Sequence, residues 1–396
     1  MSLQLLAKKN KTLKNQSSLI KCHPHIMTKL NVNPILPPLS YTGPQIIDLY
    51  NIPVIKPINR QVKIAIVIAY HHPNLLSDLK TYWQSPVNFG VNSTPPTINV
   101  FNLGRPNNIN SNWAGEECLD VQMIATVNPN ANICVVEAVS DLQRDLLYAV
   151  DYATNTINAD IISMSWGSTD MPNLNNNSVF NNPSNPSKYK CFCASSGDNN
   201  YVSWPSVLSN CIAVGGTSLI WSPSKNNLSP RTEYTWSDAG CGYSTSILKP
   251  SYQNSVNNNK YRSIPDVSLM ANPNTGVNII YNGMWGCVGG TSLSCPLFAG
   301  ILSLANQQRF NNNMNPLTTV YTTTPTSSLL PPTNMIPSTN IQNYLYNVLY
   351  PSGNYSKCFY DVNMGSDGVF NASNMFDIAT GLGSPNVTML CNALNF

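Results

Sequence analysis

Ser292 stands in Gly289-Gly-Thr-Ser-Leu-Ser-Cys-Pro-Leu-Phe-Ala-Gly300, which runs on into Ile-Leu-Ser-Leu-Ala-Asn. A glycine pair ahead of Thr291 lets the backbone turn tightly. The apolar run then starts a helix, with Pro296 expected in its first turn, where the missing N–H costs least. A serine at a helix N-terminus sits where the dipole favours a developing negative charge, which suits a nucleophile. The same position suits a plain N-capping serine.

A serine nucleophile needs a base. The chain has four histidines. His23 and His25 lie near the N-terminus, and His71-His72-Pro73 follows an apolar run without a Gly-rich setting. A Ser-His-Asp triad is therefore not expected, and a metal hydrolase built on His71 and His72 lacks a third ligand at sensible spacing. Carboxylates are scarce, so Trp113-Ala-Gly-Glu-Glu-Cys-Leu-Asp120 stands out. On a helix Glu116 and Asp120 share a face, about 5–6 Å apart at Cβ, while Glu117 turns away. Two carboxyls that close share a proton, so that one can act as base and the other orient it. The alternative is a solvated acidic helix start.

Taken together these segments resemble the sedolisins, serine-carboxyl peptidases with a subtilisin-like fold. That family carries Glu-x-x-x-Asp on a helix, an Asp after Ser-Gly at a strand end, and Ser in Gly-Thr-Ser-x-x-x-Pro. Glu116 and Asp120, Asp198 in Ala194-Ser-Ser-Gly-Asp198, and Ser292 follow in that order. Tyr41-Thr-Gly-Pro-Gln-Ile-Ile-Asp-Leu-Tyr-Asn-Ile-Pro53, Ile162-Ser-Met-Ser-Trp-Gly167, Ala213-Val-Gly-Gly-Thr217 and Ile264-Pro-Asp-Val-Ser268 match as well. The likeness covers about residues 41–396.

The resemblance implies that Glu116 takes the proton of Ser292 and that Asp120 holds Glu116. It also implies that Asp198 joins the Ser292 backbone N–H in an oxyanion hole. A carboxylate repels an oxyanion, so Asp198 must be protonated to donate, which implies an acidic working pH. The fold implied is subtilisin-like, with one large catalytic domain. The activity implied is endopeptidase, the tripeptidyl-peptidase branch differing in its cleft loops. The family's C-terminal calcium site maps onto Asp361, the carbonyls of Val362, Ser373 and Met375, and Asp377, an oxygen set suited to one structural Ca²⁺. Relatives usually have Gly at the places of Ser373 and Met375, so a carbonyl needing positive φ there would strain the loop.

Two departures carry expectations of their own. Relatives often have an acid where Ile68 stands, although Trp166 matches. They also usually carry a prodomain well over a hundred residues long, whereas about 40 residues, Pro-rich towards their end, precede the homology here. A protease that folds without one, a prodomain or inhibitor acting from outside, and a catalytically silent structural or binding protein on this scaffold all fit that.

The elements that must hold these residues alternate. Strands are expected at Val62–Ala69, Asn132–Ala138, Asp160–Trp166, Lys190–Ser195 and Cys211–Gly215. Helices are expected at Leu75–Trp83, Trp113–Val127, Asp141–Thr154 and Ser292–Arg309. This is the pattern of an α/β fold with a largely parallel central sheet flanked by helices, whose chemistry sits at the strand ends. Residues 1–40 read as an extension, 41–396 as the catalytic domain, and about 358–386 as the metal loop. The Asn-rich stretches Asn173–Asn185, Asn254–Asn259 and Asn311–Asn315 read as surface loops.

Only 10% of the 396 residues are charged, against 56 Asn, about one residue in seven. A net charge of +3 gives no basic groove for nucleic acid and no polybasic membrane patch. No apolar run reaches the ~18 residues of a membrane span, and the N-terminus lacks the apolar core of a secretory signal. The expected partners are polypeptide substrates of a monomer, in an acidic compartment, the extracellular space or a packaged particle. Eleven cysteines leave at least one unpaired.

Overall fold

The computed structural model of the chain describes residues 20–33, 40–171, 178–180, 189–221, 231–319 and 338–396. Lys63–Ala69 (Lys-Ile-Ala-Ile-Val-Ile-Ala) is apolar on both faces, as a strand covered from both sides must be. With β1 His23–Pro24 and β2 Met27–Asn33 before it, it is β3. It lies central in a sheet with β4 Ile98–Asn102, β5 Asn132–Ala138, β6 Ile161–Met164, β8 Cys191–Ser195 and β10 Ile212–Ile220. The order is β11-β10-β8-β6-β3-β5-β4, where β11 Thr232–Thr235 is the antiparallel edge. Val267–Met270 also pairs with β10, in parallel. The remaining pairs run parallel, so all their carboxyl ends share one edge.

The main helices are α1 Gly43–Tyr50, α2 Leu75–Gln84, α3 Ser111–Val127, α4 Gln143–Asp151 and α5 Thr291–Asn311, of which α2, α3 and α4 fill the crossovers from β3 to β6. Helix α3 starts where the Asn110 side chain accepts the N–H groups of Asn112 and Trp113. It packs along α5, and both rest on β3. Gly300 permits their close approach, since a Cβ there would lie 2.8 Å from that of Val127. Gln122 fixes the register of α3 against the hairpin Val277–Tyr281/Met284–Gly289, giving to Ile280 O (2.7 Å) and accepting from Ile280 N (2.9 Å).

The quoted motifs act as fasteners. In Ile264-Pro-Asp-Val-Ser268, Asp266 accepts from Arg262 at 2.8 Å and from Ala213 N at 2.9 Å, locking Val267–Met270 onto β10. Thr42 and Gln45 form a capping box at α1, and Tyr50 Oη accepts from Met270 N at 2.9 Å.

The expected strands and helices all occur, with shifted ends. The stretch Asp160–Trp166 is divided: β6 ends at Met164, and Trp166 opens β7 Trp166–Thr169, which leaves the main sheet to pair with β1 and β9 Ser203–Trp204. Residues 173–177 and 181–185 of the first Asn-rich stretch lie outside the described residues. All eleven cysteines are free thiols and buried.

Candidate active site

Three segments deliver the predicted residues to the carboxyl edge of the sheet. Glu116 and Asp120 project from α3, Asp198 follows β8, and Ser292 is the second residue of α5. Gly290 turns the chain into α5 at φ 103°, a left-handed conformation that glycine tolerates. A Cβ there would lie 2.0 Å from the carbonyl oxygen of His25 and 2.9 Å from Asp198 Oδ2. Pro296 stands in the second turn rather than the first. It removes the N–H that would bond the Ser292 carbonyl, which instead meets the Ser165 hydroxyl at 3.5 Å.

Ser165, between β6 and β7, organises the centre. Its carbonyl accepts from Ser292 Oγ at 3.0 Å, and its hydroxyl donates to Asp120 Oδ1 at 2.7 Å. Both oxygens of Glu116 and Oδ2 of Asp120 are buried with no hydrogen-bond partner. Three such acceptors buried together call for at least one proton between the two carboxyls. Accordingly Glu116 is pushed well above the ordinary carboxylate range, by burial first and then by Asp120; the Ser292 hydroxyl works in the opposite direction. Burial also raises Asp120, and the Ser165 hydrogen bond opposes it.

Asp198 Oδ1 accepts from the backbone N–H (2.9 Å) and the hydroxyl (2.8 Å) of Thr291, which fixes the carboxyl and leaves Oδ2 beside Gly290. Burial raises its pKa to about 7, against the lowering effect of Thr291. The Ser292 N–H points into the same space and donates to His25 O at 3.2 Å.

The acidic helix start is not solvated: Glu116, Glu117 and Asp120 are each fully buried. Glu117 faces Glu137, a residue the sequence reading passed over. Burial and then Glu137 hold Glu117 high, and Glu137 Oε1 lies 2.8 Å from His71 Nδ1. Ile68 is in the core, in register with Glu137 on β5, so the neighbouring strand supplies a carboxylate where β3 has none. A carboxylate at the end of a buried strand was the available signal for Glu137. Trp166 is fully buried and donates from Nε1 to Val67 O at 2.9 Å, tying β7 to β3.

His71 and His72 face different carboxylates, His72 Nε2 meeting Asp78 Oδ2 at 2.9 Å. Among the described residues, His72, Asp78 and Cys118 are grouped closely enough to hold a metal ion. The Asp78 carboxylate is already taken by the N–H groups of Asn282 and Gly283, both at 2.8 Å, so it fastens α2 to a hairpin turn.

In the C-terminal loop, Asp361 Oδ2 accepts from Met375 N at 2.9 Å, while Oδ1 is buried without a partner. Met375 adopts φ 66°, the strained conformation expected where relatives have Gly; Ser373 is not among the positive-φ residues. Asp377 accepts from Ser373 N (3.0 Å) and Thr380 N (2.8 Å), and Val362 O meets Thr380 Oγ1 at 3.4 Å.

Comparison with known proteins agrees with this fold. Residues 104–352 match the subtilase family, and the chain belongs to that family. Its curated relatives place it among the sedolisin-type members. It is 38% identical to sedolisin of Pseudomonas sp. (strain 101) over 122 residues, which is 28% of this chain and 20% of that protein. It is 25% identical to kumamolisin of Bacillus sp. (strain MN-32) over 322 residues, 71% of this chain and 50% of that protein. A solved Pseudomonas sedolisin, complexed with two molecules of pseudo-iodotyrostatin, superposes with a TM-score of 0.70 at 22% identity. That match covers 90% of this chain and 99% of the other. The chain spans half or less of the length of the curated relatives it matches. Among the described residues no helix is long and apolar enough to cross a membrane.

Proposed function

We propose that this protein is a serine-carboxyl endopeptidase that acts in acid and acylates Ser292. The observation that carries the reading is the buried Glu116–Asp120 pair behind Ser292, three of whose four carboxyl oxygens have no partner. Glu116 takes the Oγ proton as Ser292 attacks the substrate carbonyl, and Asp120, held by Ser165, keeps Glu116 in place. The oxyanion accepts from the Ser292 N–H and from protonated Asp198. Glu116 then gives its proton to the leaving amine, and water releases the acyl group by the same steps in reverse. Ser292 Oγ rests on the Ser165 carbonyl in this structure, so it must turn towards Glu116 when substrate is bound.

The C-terminal residues fit a structural Ca²⁺ held by Asp361 and Asp377 and by the carbonyls of Val362, Ser373 and Met375. The partnerless Asp361 Oδ1 supports this, since a buried carboxylate oxygen without a donor wants a cation. Such an ion would cross-link the two ends of the loop. The test of the function is hydrolysis of a denatured protein across about pH 3–7, with Ser292→Ala as the control. Peptide release by the wild type alone supports the reading. No release at any pH from a folded wild type would leave only a silent scaffold.

A further inference from the structure

Three metal-ligating side chains meet where the end of β3, α2 and α3 come together. His72 follows β3, Asp78 lies on α2 and Cys118 on α3, and all three are buried. Their ligand atoms lie within 4.8 Å of one another. His72 Nε2 stands 2.9 Å and Cys118 Sγ 3.6 Å from the same oxygen, Asp78 Oδ2. That oxygen also accepts the Asn282 N–H at 2.8 Å, while Oδ1 accepts that of Gly283 at 2.8 Å. The two backbone bonds fasten the turn and also aim the carboxylate. They leave one lone pair on Oδ2, and both the imidazole and the thiol converge on it. A single cation meets both at once, where two hydrogen bonds compete.

We propose that His72 Nε2, Asp78 Oδ2 and Cys118 Sγ bind a structural Zn²⁺ ion. Imidazole, carboxylate and thiolate are the donors zinc takes, and a thiolate disfavours Ca²⁺ and Mg²⁺. One thiolate and one carboxylate balance a divalent charge, so the buried site is neutral overall. Around a tetrahedral zinc the donor atoms stand roughly 3.4–3.6 Å apart. Cys118 and Asp78 have that spacing, and His72 needs to draw back by only about 0.5 Å. Binding releases the thiol proton to solvent, and water takes the fourth position. The ion ties together the end of β3, α2 and α3. Through Asp78 it also holds the turn between Val277–Tyr281 and Met284–Gly289. Cys118 stands between Glu116 and Asp120 in the chain, so the ion braces the helix that carries the proposed catalytic pair.

The test adds Zn²⁺ to the full metal-free chain at about pH 7, with Ca²⁺ in excess throughout, and removes unbound zinc by gel filtration. One zinc per chain should stay, and the melting temperature should rise. Zinc K-edge X-ray absorption should show one sulfur at about 2.3 Å among nitrogen and oxygen at about 2.0–2.2 Å. His72→Cys, which exchanges one zinc donor for another, should show two sulfurs. Cys118→Ser and His72→Gln should each weaken binding at least about a hundredfold. Cys391→Ser, which changes another buried thiol, should bind as the wild type does. No retained zinc and an unmoved melting temperature would overturn the proposal. Zinc without sulfur, or zinc held as tightly by folded Cys118→Ser as by the wild type, would overturn it as well. The sulfur counts of wild type and His72→Cys decide the matter even if Cys118→Ser does not fold.

Discussion

The Ser165 hydroxyl donates to Asp120 Oδ1 at 2.7 Å while the carbonyl of the same residue accepts the Ser292 hydroxyl at 3.0 Å. One residue thus holds Asp120 and engages the Ser292 hydroxyl, the orienting acid and the nucleophile of the proposed mechanism. Its hydrogen bond lowers a pKa that burial raises. Ser165→Ala should therefore raise the pair's pKa and move the acid limb of the pH–rate profile upward. The turnover number should fall about ten- to hundredfold through lost positioning. An acid limb that stays in place, measured as kcat against pH, would show that Ser165 does not tune the pair.

Ser292→Ala and Glu116→Ala should each lower peptide hydrolysis by at least about 10³-fold, and the double variant should lose little more, because nucleophile and base act as one unit. Initial rates at saturating substrate measure this, with far-UV circular dichroism to show that the fold persists. Residual hydrolysis that tracks His71→Ala would move the base to histidine.

Chelation of Ca²⁺, or Asp361→Ala, should lower the melting temperature and open the loop that starts near Asp361 to proteolysis. Binding to the folded state alone stabilises by about 2.7 kcal/mol at a hundredfold excess over Kd. Scanning calorimetry with and without chelator measures the shift, and superimposable melting curves would count against a metal in this loop.

Much of this was legible in the sequence because the chemistry is local. Glu116 and Asp120 share a helix, and Ser292 sits at a turn that its glycines announce. Asp198 stands at a strand end. The residues that complete the site are brought in by tertiary packing. Ser165 reaches Asp120 across 45 positions, and Glu137 meets Glu117 only because β5 lies beside β3 in a given register. Nor does periodicity show that His25, in an extension with little apolar pattern, threads the cleft. Its bonds run through backbone atoms, which every sequence has.

The pH–rate profile of wild type beside Asp198→Asn tests the serine-carboxyl mechanism most directly. Glu116 must be able to accept a proton, and burial with Asp120 sets that requirement above the ordinary carboxylate range. Asp198 must keep its proton, which it loses as pH rises through about 7. Wild-type hydrolysis of an added peptide should therefore be bell-shaped, with its alkaline limb near pH 7. An amide donates at any pH, so the residual activity of Asp198→Asn should extend to higher pH. Wild-type activity still rising above pH 7, with an unshifted limb in Asp198→Asn, would contradict the mechanism even if Ser292 proved essential.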